Sequence, residues 1–105
     1  MKLFELCKDN GNMKMKAETV AYLLNEKIGG STMRRTRYLI ANLYNNNAYP
    51  NVELFSLIRN ADREHQELIM DIIGISQHQF GEACFLMINE LAPQIIEKFN
   101  LKEDE

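Results

Sequence analysis

The stretch Asp62-Arg-Glu-His-Gln-Glu-Leu-Ile-Met-Asp-Ile-Ile73 carries the clearest structural signal in the chain. Its apolar side recurs at the i, i+3, i+4, i+7 and i+8 spacing of one helix face and consists of His65, Leu68, Ile69, Ile72 and Ile73. Charged and amide side chains occupy the opposite face. We therefore predict an amphipathic helix from about Asp62 to Ile73, ended by Gly74.

The same periodicity extends outward in both directions, and no segment alternates long enough to predict a strand. Before it, helices are predicted over Lys2–Lys8, over Lys14–Lys27, and from a cap at Ser31 or Thr32 to Asn45. A short helix capped by Asn51 follows the Asn-rich turn. After Gly74, a last helix starts at a Ser76–Gln79 capping box and is kinked or restarted at Pro93. The fold class is therefore all-α. We expect a compact single-domain bundle of five to six short helices over residues 1–101, followed by an acidic disordered tail at 102–105.

Composition restricts the class of protein. The chain has 105 residues, of which 46% are hydrophobic and 26% charged, and this excludes a disordered or low-complexity chain. Two cysteines are too few for a disulfide scaffold. The longest uncharged stretch, Tyr38–Val52, holds five asparagines, so no membrane span is expected. Charges near the N-terminus exclude a secretory signal, and we expect a cytoplasmic protein.

Charge is unevenly distributed along the chain. Residues 1–49 carry eight basic and four acidic side chains, whereas residues 50–105 carry four basic and eleven acidic ones. The net charges of +4 and −7 add up to the total of −3. Two explanations stay open: the halves compensate each other within or between molecules, or one face is kept for a charged partner.

An arginine cluster opens the helix predicted after Ser31. Arg34, Arg35 and Arg37 oppose the helix dipole there, an unfavourable contribution of about 0.3–1 kcal/mol each at an exposed end. The compensating anion is either a phosphate backbone or a carboxylate of the second half, the candidates being Glu53, Asp62, Glu64 and Glu67. The arrangement from Ala17 through Val20-Ala21 and Leu24 to Gly30-Ser31 and the arginines is loosely typical of a helix-turn-helix, which makes nucleic-acid binding the alternative function. The long link after Asn25 and the pI of 5.4 oppose that interpretation.

Motifs of catalysis or metal binding are absent from the sequence. Cys7 and Cys84 are interpreted as buried apolar residues, and His65 as a histidine at the edge of the core. His78 and Glu82 share an i, i+4 spacing, but two ligands do not make a metal site. Phosphate loops and nucleophile motifs are not found, so we predict a non-enzymatic protein without metal or cofactor.

One part of the chain resembles a known group of proteins. The residues concerned are Arg34-Arg35, Leu39-Ile40, Leu43-Tyr44-Asn45, Pro50, Leu54, Leu57 and Asp62. Over about residues 31–75 this pattern is similar to small helical proteins encoded mostly on plasmids, phages and similar mobile elements, although Asn45-Asn46-Asn47 stands where those proteins would have a glycine. The resemblance implies a helical fold and a mobile-element setting, and it implies no activity.

These observations predict a protein that acts by binding another protein or a second copy of itself. The contact surface is expected on the helices before and after the Asn-rich turn at residues 45–50. Methionine and tyrosine are adaptable residues that are favoured at interfaces, and arginines flank them here. The candidates are Arg34, Arg35, Arg37, Tyr38, Asn42, Tyr44, Asn46 and Tyr49.

Overall fold

The computed structural model describes residues 17–77 and 82–103, with the side chains of 17–73 and 87–103. Within this part the chain forms helices and no strand, which confirms the all-α prediction. The helices described are α1 (Ala17–Leu24), α2 (Ser31–Tyr44), α3 (Leu54–Asn60), α4 (Arg63–Gln77) and α5 (Glu82–Lys98). The helix predicted over Lys2–Lys8 lies outside the described residues.

The central helix is α2, which packs against α3, α4 and α5, while α1 packs on α5. One continuous core results, and the bundle measures 31 × 28 × 26 Å. The largest fully buried side chains are Leu23, Met33, Ile40, Leu57, Ile69, Ile72, Met87, Leu91 and Ile95. Because each helix contributes one apolar face to this core, the predicted single-domain bundle is confirmed.

The end of α1 differs from the prediction. The helix stops at Leu24, whereas the apolar spacing predicted a helix as far as Lys27. A turn follows the helix. In it the Asn25 N–H donates to the Tyr22 carbonyl at 3.2 Å, and Asn25 Oδ1 accepts from the Lys27 N–H at 3.0 Å. Asparagine side chains compete with the helix in this way. The predicted start at Lys14 lies outside the described residues.

The start of α2 has no side-chain cap. Ser31 is already the first helical residue, so the prediction that Ser31 or Thr32 caps the helix is wrong. Gly30 precedes the helix with a φ of 98°, a left-handed conformation that glycine adopts without steric cost. The first amides of α2 therefore have no acceptor from a capping side chain.

The start of α3 also lies later than predicted. Glu53 precedes the helix and makes no capping hydrogen bond, so the prediction of an Asn51 cap is wrong. The Val52 N–H donates to the Pro50 carbonyl at 3.1 Å, and this tight turn keeps residues 50–52 out of the helix. The turn places residues 51–53 opposite α2, where they form one wall of the candidate site.

The start of α4 is capped by a side chain, whereas its end lies beyond the predicted position. At its start, Asp62 Oδ1 accepts the His65 N–H at 2.9 Å, which is the geometry of an N-cap. At its end the helix continues through Gly74 to Gln77, so the predicted stop at Gly74 and the predicted cap at Ser76 are wrong. Glycine inside a helix costs only about 1 kcal/mol relative to alanine, which a packed helix tolerates.

A proline lies inside α5, and the helix neither ends nor restarts there. Pro93 removes the hydrogen bond to the Asn89 carbonyl. Both residues are exposed, so water can reach that carbonyl and the helix continues. Of the two alternatives predicted at Pro93, the restart is therefore wrong, and the kink stays a prediction.

The segment after α5 returns the chain to α2. Asn100 has a φ of 55° and the Leu101 N–H donates to the Ile96 carbonyl at 3.0 Å, as in a Schellman motif. Leu101 is buried, and the next amide, that of Lys102, donates to Tyr38 Oη at 2.9 Å. Of the predicted tail at 102–105, the last two residues lie outside the described part of the chain.

Candidate interaction surface

The predicted site residues all lie on α2 and on the loop that follows it, but the fold separates seven of them into three groups and buries the eighth, Arg37. The first group lines a cleft of about 240 Å³ between α2 and the segment that leads into α3. We call it the α2–α3 cleft, and its lining residues are Arg34, Arg35, Tyr38, Asn51, Val52, Glu53 and Leu57. Only Arg34, Arg35 and Tyr38 of the predicted residues contribute to it.

Arg34 and Tyr38 lie one helical turn apart and form a pair. The Arg34 Nη2 donates to Tyr38 Oη at 3.3 Å, and the guanidinium carbon lies 5.2 Å from the centre of the ring. Residues at i and i+4 are neighbours on a helix surface, so the sequence spacing itself favours this contact. The pair places one guanidinium at the mouth of the α2–α3 cleft.

Arg35 reaches across the cleft. Its Nη2 donates to Ser56 Oγ at 3.2 Å, which links α2 to α3 through a part-buried hydrogen bond. The acceptor is a neutral hydroxyl and not a carboxylate. The second guanidinium of the α2–α3 cleft is therefore held in place while its positive charge is not neutralised by this contact.

Arg37 corrects the prediction that all three arginines share one exposed surface. Its side chain is only 4% exposed, and it donates from Nε to the Leu23 carbonyl at 2.9 Å and from Nη2 to the Asn25 carbonyl at 3.0 Å. The guanidinium carbon lies 3.6 Å from the centre of the Phe99 ring. Burial lowers the pKa of Arg37 from its ordinary value. This arginine closes the end of α1 and is not available to a partner.

Asn42 and Tyr49 form the second group, which holds the loop onto α2. The Asn42 Nδ2 donates to the Tyr49 carbonyl at 2.8 Å. Tyr49 is 6% exposed and its ring centre lies 6.3 Å from that of Tyr38. Burial raises the pKa of the Tyr49 hydroxyl. Both side chains support the α2–α3 cleft from behind and do not line it.

Tyr44 and Asn46 form the third group, at the far end of α2. Tyr44 is 44% exposed and Asn46 is exposed as well. Ten residues separate Arg34 from Tyr44, which corresponds to about 15 Å along the helix axis. These two residues are accessible, but they lie apart from the α2–α3 cleft.

Phe55 is a surface residue of α3 that is not among the contact residues predicted from the sequence. It is 77% exposed, and the Arg59 guanidinium carbon lies 5.5 Å from its ring centre. The signal that finds it is periodicity: Leu54, Leu57 and Ile58 form one face of α3, so Phe55 must project elsewhere. An exposed aromatic ring thus sits on the helix that borders the α2–α3 cleft.

The acidic residues proposed as counter-charges do not pair with the arginines within the described part of the chain. Asp62 binds His65, and both the backbone and the side-chain hydrogen bond from His65 lower the Asp62 pKa. Glu64 accepts from Tyr22 Oη at 2.6 Å, which raises the Tyr22 pKa. Glu53 lines the α2–α3 cleft without an ion pair to a described residue.

His65 lies at the edge of the core. Its Nδ1 is 2.9 Å from Asp62 Oδ1, and its ring meets that of Tyr22 edge to face at 6.0 Å. The buried Nε2 has no hydrogen-bond partner among the described residues. The Asp62 contact and the Tyr22 ring together hold the imidazole at the edge of the core.

The remaining chemical candidates fall mostly outside the described residues. Cys7 and His78 lie there, and nothing is described for the side chains of Cys84 and Glu82. Across residues 17–77 and 82–103, no group of three or more His, Cys, Asp and Glu side chains could hold a metal ion. In the same ranges no helix has both the length and the apolar character needed to cross a bilayer.

Comparison with other proteins adds no relative. No family model matches the chain, and neither the curated proteins nor the solved structures contain a match.

Proposed function

We propose that this chain is a non-enzymatic binding protein that contacts another protein through α2, the loop at 45–53 and α3. The observation that carries the proposal is the α2–α3 cleft, where Arg34 and Arg35 bond only to neutral hydroxyls among the described residues. Two guanidiniums without a carboxylate partner are available to an anionic group of a partner. Arginine is also among the residues enriched at protein interfaces.

Phe55 supports the same surface. A phenylalanine that is 77% exposed leaves most of its ring in water, and its burial by a partner would contribute favourable free energy. Aromatic anchors beside arginines are frequent hot spots of binding. Ser56, the next residue, accepts a hydrogen bond from Arg35, and Leu57 lines the α2–α3 cleft, so one helix presents both features.

Nucleic-acid binding is the second candidate, favoured by the position of Arg34 and Arg35 in the first turns of α2. Against it, Arg37 is buried, and so are most side chains in the middle of α2, Thr36, Leu39, Ile40 and Ala41 among them. A recognition helix must enter the major groove with an exposed face. Only the start of α2 meets that requirement. Titration of a labelled duplex at several salt concentrations tests this candidate. In a plot of the logarithm of the binding constant against the logarithm of the salt concentration, each neutralised phosphate contributes a slope of about −0.9.

A cytoplasmic location and the mobile-element setting are further parts of the proposal. The location is proposed from the charged, globular composition of the chain, and the setting from the resemblance over residues 31–75. Expression of the chain with a small C-terminal tag, followed by cell fractionation, tests the location.

Site-specific photocrosslinking in cells that produce the chain tests the protein-binding proposal. A benzoylphenylalanine replaces Phe55 in one variant and the exposed Asn89 of α5 in the matched control. We expect a protein adduct from position 55, weakened by the Arg34→Gln/Arg35→Gln pair, and none from position 89. The mass of the adduct separates a second copy from a different protein. Equal adducts from both positions, or none from position 55, would contradict the proposal.

A further inference from the structure

The α2–α3 cleft brings together hydrogen-bond donors. Arg34 and Arg35 each use one described hydrogen bond from Nη2, to Tyr38 Oη and Ser56 Oγ respectively. A guanidinium carries five N–H donors, so most of them remain for water or a ligand. The nearby N-terminus of α2 has no side-chain cap, and its dipole adds positive potential to the same region.

Tyr38 contributes a third kind of donor. Its oxygen accepts from Arg34 Nη2 at 3.3 Å and from the Lys102 N–H at 2.9 Å. A phenol oxygen accepts at most two hydrogen bonds, so its remaining capacity is that of a donor. No described residue accepts the Tyr38 O–H hydrogen. Since Tyr38 lines the α2–α3 cleft, this hydrogen can be directed toward a ligand there.

The rest of the lining is partly apolar. Val52 is half-buried, Leu57 is buried, and both line the cleft beside the donors. Asn51 and Glu53 complete the wall opposite the arginines. A ligand that suits this lining carries an anionic group next to an apolar side chain, and it has N–H groups that a carboxylate can accept.

We infer that the α2–α3 cleft binds an acidic peptide segment of the partner protein, with an Asp or Glu side chain of that segment held by Arg34 and Arg35. The inference rests on the proposed function. Arginine and carboxylate form charge-assisted, frequently bidentate hydrogen bonds. The Tyr38 hydroxyl adds a donor to the same carboxylate, and an apolar neighbour in the peptide packs on Val52 and Leu57.

Glu53 favours a peptide over a nucleic acid as the ligand of the α2–α3 cleft. A phosphate backbone brings one negative charge per nucleotide, and a carboxylate in the wall of the cleft repels each of them. An acidic peptide brings only one or two carboxylates, which the arginines bind, and also backbone N–H groups, from which Glu53 accepts. The apolar floor likewise has a counterpart in a peptide side chain and none in a phosphodiester.

The test is a titration of the whole chain, labelled with ¹⁵N, with a short capped peptide of the order Gly-Ser-Leu-Asp-Glu-Leu-Ser-Gly. The matched peptide carries Asn-Gln in place of Asp-Glu. We expect saturable shifts of the Arg34 and Arg35 Nε–Hε signals and about tenfold weaker binding of the neutral peptide, as the loss of charge-assisted hydrogen bonds implies. Equal binding of both peptides would overturn the inference.

Two pairs of variants locate the binding. Arg34→Gln/Arg35→Gln should weaken binding of the acidic peptide by about tenfold or more, whereas Arg63→Gln/Lys98→Gln, which removes the same charge from exposed positions of α4 and α5, should change it by less than about twofold. Unchanged amide spectra establish that each pair is folded. Equal effects of the two pairs would mean general charge attraction and would contradict the inference.

The outcome also separates this inference from the proposed function. If position 55 gives a protein adduct in cells but the peptide does not bind, the ligand class is wrong and the protein-binding surface stands. If a mixed-sequence DNA duplex shifts the same arginine signals at lower concentration than the peptide, the cleft binds nucleic acid and the acidic-peptide inference is overturned. Failure of both experiments removes both proposals.

Discussion

One helix places arginines in two opposite environments. Arg37 is buried, with two backbone carbonyls and the Phe99 ring around its guanidinium. Arg34 and Arg35, two to three residues earlier, lie at the protein surface and bond to neutral hydroxyls. The first environment joins helices, and the second borders an open cleft. The same residue type serves as part of the fold in one place and as candidate contact in the other.

The difference comes from the rotation of the helix and from what lies next to it. At 100° per residue, Arg37 points about 200° away from Arg35. On that side α1 ends, and its last carbonyls lack helical partners. A guanidinium satisfies several such acceptors at once, and its positive charge suits the negative end of the α1 dipole. On the other side the wall is the segment that leads into the start of α3, so the charge faces the cleft.

The largest expected effect is that of Arg37→Ala on stability. The substitution leaves the Leu23 and Asn25 carbonyls without their donors and removes the stack on Phe99, so we expect the free energy of unfolding to fall by about 3 kcal/mol. Urea unfolding followed by circular dichroism measures it. Arg35→Ala is the matched control and should cost less than about 1 kcal/mol. Similar losses of unfolding free energy for the two variants would contradict the distinction between the buried arginine and those at the cleft.

Asp62 offers a second test, because the starts of α2 and α4 carry opposite charges. Asp62 caps α4, so Asp62→Ala should lower the melting temperature at neutral pH. The Asp62 pKa is lowered in the folded chain, which means that its contribution is present above the ordinary value of 3.8 and is lost as the pH falls through the folded value. The difference between variant and parent should therefore shrink in acid. A difference that grows in acid would contradict this account.

Phe99→Leu sharpens the description of the buried environment. Leucine keeps most of the apolar volume but removes the ring on which the Arg37 guanidinium lies, so we expect a loss of about 1 kcal/mol. A double-mutant cycle with Arg37→Ala isolates the contact. The coupling energy should be of the order of 1 kcal/mol, and additive losses would show that the two side chains act independently.

The smallest change in the free energy of unfolding is expected for substitution of Arg34, and it is a gain where the other substitutions cause a loss. A cation near the start of a helix opposes the dipole, so Arg34→Gln should leave stability unchanged or raise it by about 0.3–1 kcal/mol. The loss of its pair with Tyr38 works in the other direction and is small at an exposed site. A loss comparable to that of Arg37→Ala would show that Arg34 also belongs to the fold.

Helix boundaries show how far the sequence predicts the fold. The helix around Leu68 and Ile69 and those around the other apolar stripes were predicted because burial of one face leaves a periodic pattern. The ends were less predictable. The Asn25 turn stops α1 early and Gly74 fails to stop α4, because a single residue changes the free energy by an amount that packing easily exceeds.

The sequence predicted where the candidate site lies better than it predicted which residues line it. The helices on either side of the Asn-rich loop do form a cleft, and Arg34, Arg35 and Tyr38 line it. Arg37 and Tyr49 are buried, and the exposed Phe55 was not singled out. Residue type and closeness in sequence group these side chains, whereas their exposure depends on which neighbours pack against them.

By itself, the sequence determined the all-α class and the existence of the main helices, because hydrophobic periodicity is a local property that the chain carries wherever it folds. Only the tertiary structure decided the role of each arginine. The partners of Arg37 are Leu23, Asn25 and Phe99, which lie 12 to 62 positions away in the chain, and Arg35 meets Ser56 at a separation of 21. Such contacts arise from the packing of whole helices, and no local pattern records them.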